Sequence, residues 1–211
     1  MSLAAVSALS LVLLVSAVAT GCGEAESAGQ TEHQANSTFD RPVPRFGLGG
    51  PYDVPPSTGR SAAGRPVGAL ECSAQRRRPF GVHLEIFANR LDLVIPAGIG
   101  VAPPRRRDGA YVRGGKCWYP IRTIEPTGLI EIERGRQLTL GDFFDVWGRP
   151  LSERRLLGFR AKRGKSVDAF VNGHHWNGDP RAIPLRRHAA IVLEVGGYFP
   201  PTRVYAFPPG F

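Results

Sequence analysis

The segment TLGDFFDVWG, residues 139–148, carries the full sequence pattern of a short helix. Thr139 is a favourable N-cap, and Asp142 three residues later completes a variant of the capping box. Four large apolar residues follow at helical spacing, namely Leu140, Phe143, Phe144 and Trp147. Gly148 ends the pattern. Because the segments before and after it are typical of strands, we expect the chain to fold in the α+β class.

The segments around the helix predict a mixed sheet. Residues 82–87 and 91–95 predict a hairpin that turns at Asn89 and Arg90. Further strands are predicted over residues 119–125, 129–133, 156–161, 167–172 and 190–195. The last of these is almost wholly apolar, which favours a central place in the sheet. Residues 101–116 predict a long polar loop, and the aromatic, proline-rich end of the chain is expected to pack over the domain.

The order of these elements is similar to the β-grasp arrangement. A hairpin and a further strand precede the helix, and more strands follow it. The closing segment FVNG…IPLRRHAAIVLEVG resembles the end of ubiquitin-like domains, in which a turn leads to a last, central strand. The sequence therefore predicts one α+β domain over residues 68–211, with a mixed sheet, one main helix and a β-grasp-like order.

The N-terminal part of the chain has the composition of an export signal followed by a tether. Residues 3–19 are apolar or small and carry no charge. This run is shorter than the about 20 residues that a membrane-spanning helix needs, and it suits the core of a signal peptide over residues 1–21. Residues 22–67 are rich in proline, glycine and serine and poor in apolar residues, which is typical of a flexible tether.

The stretch Ala19-Thr20-Gly21-Cys22 resembles a bacterial lipobox, in which a small residue precedes an invariant cysteine. The resemblance implies that the Cys22 sulfur receives a diacylglyceryl group and that cleavage makes Cys22 the new N-terminus. Leucine is more usual than Ala19 at its position, and no lysine or arginine precedes Arg41. A plain cleaved signal and an uncleaved N-terminal anchor therefore stay open as alternatives. The expected location is extracytoplasmic and membrane-anchored, at a cell surface or in a periplasm.

Cys72 and Cys117 are predicted to form a disulfide. Exported proteins fold in an oxidising compartment, where paired thiols become cross-linked. With Cys22 lipidated, the two other cysteines of the chain make an even number. A metal site or a catalytic thiol would need a neighbouring Cys or His at ligand spacing, and neither cysteine has one.

The net charge of +9 invites comparison with nucleic-acid-binding proteins. All but three of the 27 basic residues are arginine, a bias that a GC-rich genome produces without selection for binding. The basic residues are also scattered, and the chain is predicted to carry an export signal. Nucleic acid is therefore not an expected partner.

Two arginine triplets flank the first predicted hairpin, namely Arg76, Arg77 and Arg78 before it and Arg105, Arg106 and Arg107 after it. The predicted bond between Cys72 and Cys117 would join the segments that carry them. Together they could form a basic rim that contacts anionic lipid headgroups or cell-wall polymers. The alternative is that both triplets lie in solvated loops.

Six segments between residues 72 and 211 form a recognisable series: VHLEIFANR, VIPAGIGV, CWYPIRTIEPTGLIEIE, LTLGDFFDVWG, FVNG and YAFPPGF. They resemble, in the same order, an uncharacterised family of exported bacterial proteins and lipoproteins. The resemblance implies a His-x-His pair near the first strand and a Leu-His-Thr-His-Asp stretch later. Clustered histidines of this kind suit a transition-metal ion such as copper or zinc.

This chain lacks most of the histidines that the family resemblance implies. His83 matches the second histidine of the pair, and Gly81 stands at the first. The later stretch reads IRTIE over residues 121–125, and Glu131 stands where a further histidine is expected. The residues left for a metal site are His83, Glu85, Glu125 and Glu131. Copper or zinc handling by a degenerate site is therefore the alternative function, and the primary expectation is no cofactor.

The sequence contains no recognised catalytic motif, whether for a nucleophile, a zinc protease or phosphate binding. Glu131 and Glu133 share one face of a predicted strand, and a solvated face is the expected explanation rather than acid–base catalysis. His174 and His175 are expected in a turn, and His188 at an exposed edge. The sequence thus predicts a non-catalytic binding or structural domain, held at the membrane by its N-terminal lipid, whose ligand and protein partner it does not identify.

Overall fold

The computed structural model describes residues 62–197 and 205–211, and every element named below lies in these ranges. Helix α1 spans Leu140–Trp147, and a 3-10 helix spans Pro180–Ala182. The strands are β1 Pro79–Ala88, β2 Leu91–Asp92, β3 Arg106–Asp108, β4 Tyr111–Gly114, β5 Ile121–Arg122, β6 Leu129–Glu133, β7 Leu151–Ser152, β8 Arg155–Leu156, β9 Phe159–Arg160, β10 Asp168–Val171, β11 His174–His175 and β12 Ala190–Val195.

Helix α1 begins and ends as the sequence predicted. The Thr139 hydroxyl accepts a hydrogen bond from the Asp142 amide at 3.3 Å, and the Asp142 carboxylate accepts one from the Thr139 amide at 2.8 Å. This reciprocal pair is a capping box, which satisfies amide groups that the first turn leaves unpaired. Gly148 follows the helix with a φ of 70°, where a side chain would be strained, and its amide donates to the Asp145 carbonyl.

Seven strands form the main sheet in the order β11-β10-β12-β1-β6-β5, with β2 also paired to β1. Strand β12 runs parallel to β1, and the other pairs are antiparallel. The predicted α+β class with a mixed sheet and one main helix is confirmed for the described residues. An antiparallel pair, a helix and a last strand placed parallel beside the first make the β-grasp order. Strand β12 has the central place that its apolar sequence predicted.

One face of the main sheet packs against α1 and forms the core. Alternate residues of β1, β6 and β12 point to this side, where they meet the aromatic residues of the helix. The side chains buried there, all at most 1% exposed, include Val82, Leu84, Ile86, Ile130, Ile132, Ile191, Leu193, Phe143 and Phe144. Burial of each such side chain contributes about 1.5–3 kcal/mol, so this layer is the main source of stability.

The opposite face of the main sheet is covered in part by the end of the chain. The Tyr205 ring stacks on His83 of β1, with ring centroids 3.6 Å apart. The Phe207 ring stacks on His188, with centroids 4.7 Å apart. The predicted packing of the aromatic C-terminal segment over the domain is therefore confirmed for residues 205–211.

Three predictions of local structure are wrong. His174 and His175 do not lie in a turn, because they form β11, which pairs with β10. Residues 101–116 are not one long loop, because β3 and β4 form a hairpin within them. Residues 156–161 are not one strand, because the chain turns after β8 and returns as β9. Leu157 adopts a positive φ of 54° in this turn, a conformation that apolar residues rarely take and that the sequence pattern does not reveal.

Candidate functional site

The four residues expected as the remainder of a metal site have different surroundings. His83 and Glu85 lie on the same face of β1, and Glu131 lies on β6. Glu125 accepts a hydrogen bond from the Thr127 hydroxyl at 3.0 Å. In residues 62–197 and 205–211, no three His, Cys, Asp or Glu side chains are grouped so that they could hold a metal ion. Metal handling stays a prediction.

The carboxylate of Glu131 is fully buried and is bound by two arginines. The Arg122 Nε donates to one oxygen at 2.7 Å, and an Arg76 Nη donates to the other at 2.6 Å. The remaining Arg122 nitrogens donate to the carbonyl oxygens of Tyr119 at 3.2 Å and Arg77 at 3.1 Å. Burial lowers the pKa of Arg122, and the charge of Glu131 opposes this effect. The result is an ion-pair network that holds the segment before β1 against strands β5 and β6.

The expectation that Glu131 and Glu133 lie on a solvated face is wrong. Glu131 is 0% exposed and Glu133 is 8% exposed. Arg77 lies 3.5 Å from the Glu133 carboxylate, and Trp118 lies beside the Arg76 guanidinium, 5.3 Å from its central carbon to the ring centroid. Side chains from outside the strand therefore cover this face, which strand alternation alone does not reveal.

His83 is a buried, neutral histidine between the sheet and the C-terminal segment. Its Nε2–H donates to the Thr127 carbonyl at 3.1 Å, and because a carbonyl only accepts, this bond places the ring proton on Nε2. Burial lowers the pKa of His83 to about 4, although the hydrogen bond to Thr127 acts in the opposite direction. Gly128 permits the approach, since its φ is 80° and a Cβ there would collide with the Leu84 carbonyl oxygen.

Stability is expected to fall as the pH drops from about 6.5 to about 4, because the unfolded chain then binds a His83 proton that the folded chain does not. We compare urea unfolding of the wild type and His83→Gln at about pH 7.5 and about pH 4.5, and expect the stability advantage of the wild type to shrink by about 2–3 kcal/mol. An advantage that is the same at both pH values would contradict this account.

Four arginines of the two triplets contact other groups of the domain, although the Arg77 side chain is 70% exposed. An Arg107 Nη donates to the Ala97 carbonyl at 3.4 Å. Arg76 and Arg77 bind the buried glutamates of β6. The Arg105 Nε donates to the Val101 carbonyl at 2.6 Å, and its pKa is lowered by burial and by the charge of Arg107. These four side chains already have partners within the domain, so most of the predicted basic rim is engaged in contacts with the fold itself.

The β3–β4 hairpin presents basic and aromatic side chains that the sequence analysis missed. Tyr111, Arg113 and Lys116 are exposed there, close in sequence to the exposed Arg106 and Arg107. Gly109 and Ala110 form the turn between the two strands, and a glycine at the first turn position, here with a φ of 55°, is a sequence signal for a hairpin. The signal was present, but the polar composition of the segment concealed it.

Cys72 and Cys117 form the predicted disulfide, with their Cα atoms 5.5 Å apart. The predicted lipidation site Cys22, the signal peptide and most of the predicted tether lie outside the described residues. Within the part of the chain that the structure describes, no helix is long and apolar enough to cross a membrane.

Comparison of the chain with protein-family models, with curated proteins and with solved structures finds no match.

Proposed function

We propose that the chain is a lipid-anchored extracytoplasmic protein whose α+β domain has a binding or structural role without catalysis. The observation that carries the proposal is the disulfide between Cys72 and Cys117. Disulfides of this kind persist in oxidising compartments and are rare in the cytosol. The signal-like sequence before Cys22 supplies a route of export, and lipidation of Cys22 would hold the domain at the membrane.

The buried polar groups of the domain support a non-catalytic role. Arg122 and Glu131 bind each other, and His83 stacks on the C-terminal segment. The Tyr119 hydroxyl donates to the Arg65 carbonyl, and burial raises the pKa of Tyr119. Perturbed pKa values can mark an active site, but here Arg122, His83 and Tyr119 each join two segments of the fold.

Intact mass spectrometry of the protein extracted from its own membranes tests the anchor. The denatured mass is expected to show cleavage before Cys22, added acyl chains and the loss of two hydrogens to the Cys72–Cys117 bond. The variant Cys22→Ser should carry no acyl chains and leave the membrane fraction, whereas Cys72→Ser should remain acylated. A mature wild-type protein without acyl chains would contradict the proposal.

Native mass spectrometry of the same sample addresses the metal alternative. The expected mass is that of the acylated protein alone. A bound ion that is lost in His83→Gln and kept in the matched variant His174→Gln would instead support copper or zinc handling. His174 is the suitable control because it is an exposed histidine on β11.

A further inference from the structure

The β3–β4 hairpin combines a cluster of basic residues with an exposed aromatic ring. Residues 105–116 contain five basic residues and one acidic residue. The Tyr111 side chain is 41% exposed, and the Arg113 guanidinium carbon lies 4.8 Å from its ring centroid. Arg113 also lies 3.2 Å from the Asp108 carboxylate. The surface is therefore basic and amphipathic at once.

Buried contacts on the inner side of the hairpin fix which side chains face outward. Val112 is 1% exposed and packs in a small apolar cluster with Trp118. The Val112 amide also donates to the Ile124 carbonyl at 2.8 Å, which joins β4 to the rest of the domain. Because Tyr111 and Arg113 flank Val112 on β4, strand alternation directs both of them away from the protein.

A second basic region lies on the small sheet of β7, β8 and β9. Residues 153–165 contain six basic residues and one acidic residue, so charge alone does not distinguish this region from the hairpin. Among the described residues, the large apolar side chains that are exposed are Leu91, Val94 and Tyr111, and none of them lies in this second region. An exposed tyrosine among arginines suits the membrane–water interface, where the ring contacts apolar matter and the hydroxyl stays hydrated.

We propose that the β3–β4 hairpin docks on anionic phospholipid headgroups, with Tyr111 at the membrane–water interface and Arg106 and Arg113 against the phosphates. Arginine suits this role because its planar guanidinium can bind two phosphate oxygens at once. The inference rests on the proposed anchor, which raises the concentration of headgroups that the hairpin meets. Docking gives the anchored domain one orientation, with the hairpin facing the bilayer.

Hydrogen–deuterium exchange of the full acylated chain on vesicles tests this docking. Vesicles of equal parts phosphatidylglycerol and phosphatidylcholine are compared with vesicles of phosphatidylcholine alone. Peptides within residues 105–116 are expected to exchange about fivefold more slowly on the anionic vesicles. Salt at about 1 M should remove this protection, because it screens charges beyond about 3 Å.

Two double variants separate the hairpin from the net charge of the protein. The first changes Arg106 and Arg113 of the hairpin to glutamine. The second makes the same change at Arg154 and Arg155, which are exposed in the second basic region. The first variant should lose the protection, and the second, with the same loss of charge, should keep it.

Equal exchange of residues 105–116 on the two kinds of vesicle would overturn the inference, as would loss of protection only in the second variant. If soluble polyglycerol phosphate slows the exchange of the hairpin and vesicles do not, the hairpin binds an anionic polymer instead of a membrane. That result would also overturn the inference. Two further results separate the docking from the anchor.

If phosphatidylcholine vesicles retain the chain but anionic vesicles do not protect the hairpin, the docking is refuted and the anchor stands. If anionic vesicles protect the hairpin but phosphatidylcholine vesicles do not retain the chain, the anchor alone is refuted.

Discussion

Replacement of Glu131 by glutamine is expected to lower the free energy of unfolding by about 3–5 kcal/mol, as removal of one partner from a buried ion pair usually does. The variant keeps the size of the side chain but leaves two guanidinium groups without their carboxylate. Arg122 is 1% exposed, so water cannot replace the lost partner. Urea unfolding followed by circular dichroism measures the change.

Glu133→Gln is the matched control, because it makes the same change two residues along the same strand. Its partner Arg77 is 70% exposed at 3.5 Å. We expect a loss of about 1 kcal/mol or less, which is the usual contribution of an ion pair open to solvent. Similar small losses in both variants would contradict the central role of the Glu131 network. The double variant Glu131→Met with Arg122→Met should recover part of the stability, since it leaves fewer charges unpaired.

Removal of the disulfide is expected to lower the free energy of unfolding by about as much as Glu131→Gln does. Changing both Cys72 and Cys117 to serine frees a loop with a sequence separation of 45 residues. Chain entropy predicts that the free energy of unfolding falls by about 4 kcal/mol. Unfolding in urea at a fixed pH, without reductant, gives the comparison with the wild type.

Cys22→Ser serves as the control for the disulfide variant. It removes a cysteine that lies far from the bonded pair in sequence, and the unfolding free energy of the domain should not change. Titration of free thiols in the unfolded wild-type protein should find neither Cys72 nor Cys117 reactive until a reductant is added. Reactive thiols at both positions, together with unchanged stability in the double variant, would contradict the cross-link.

The elements whose signals are local were predictable from the sequence. Helix α1 was predicted from Thr139, Asp142 and the apolar spacing, and all of these act within three to eight residues. The central place of β12 followed from its composition, because a strand covered on both faces needs apolar residues throughout. The pairing of Cys72 with Cys117 followed from their number and the expected compartment.

The surroundings of the candidate site depend on residues far apart in the sequence, and these were not predictable. Arg76 and Glu131 are 55 residues apart, yet they bind each other at 2.6 Å. Alternation placed Glu131 and Glu133 on one face correctly, but it carries no information about what covers that face. For the same reason, the arginine triplets could not be divided in advance into side chains that bind glutamate and side chains that meet solvent.

The parallel pairing of β1 with β12 has a consequence for how the protein is made. His83 of β1 pairs with Ala190, so among the described strands the one that completes the centre of the sheet leaves the ribosome last. Contacts between such distant segments form slowly, and the sheet cannot close before β12 arrives. A chain that must be threaded through a narrow translocation pore has to stay unfolded until it has passed. For the export that we propose, the order of the described strands would supply that delay.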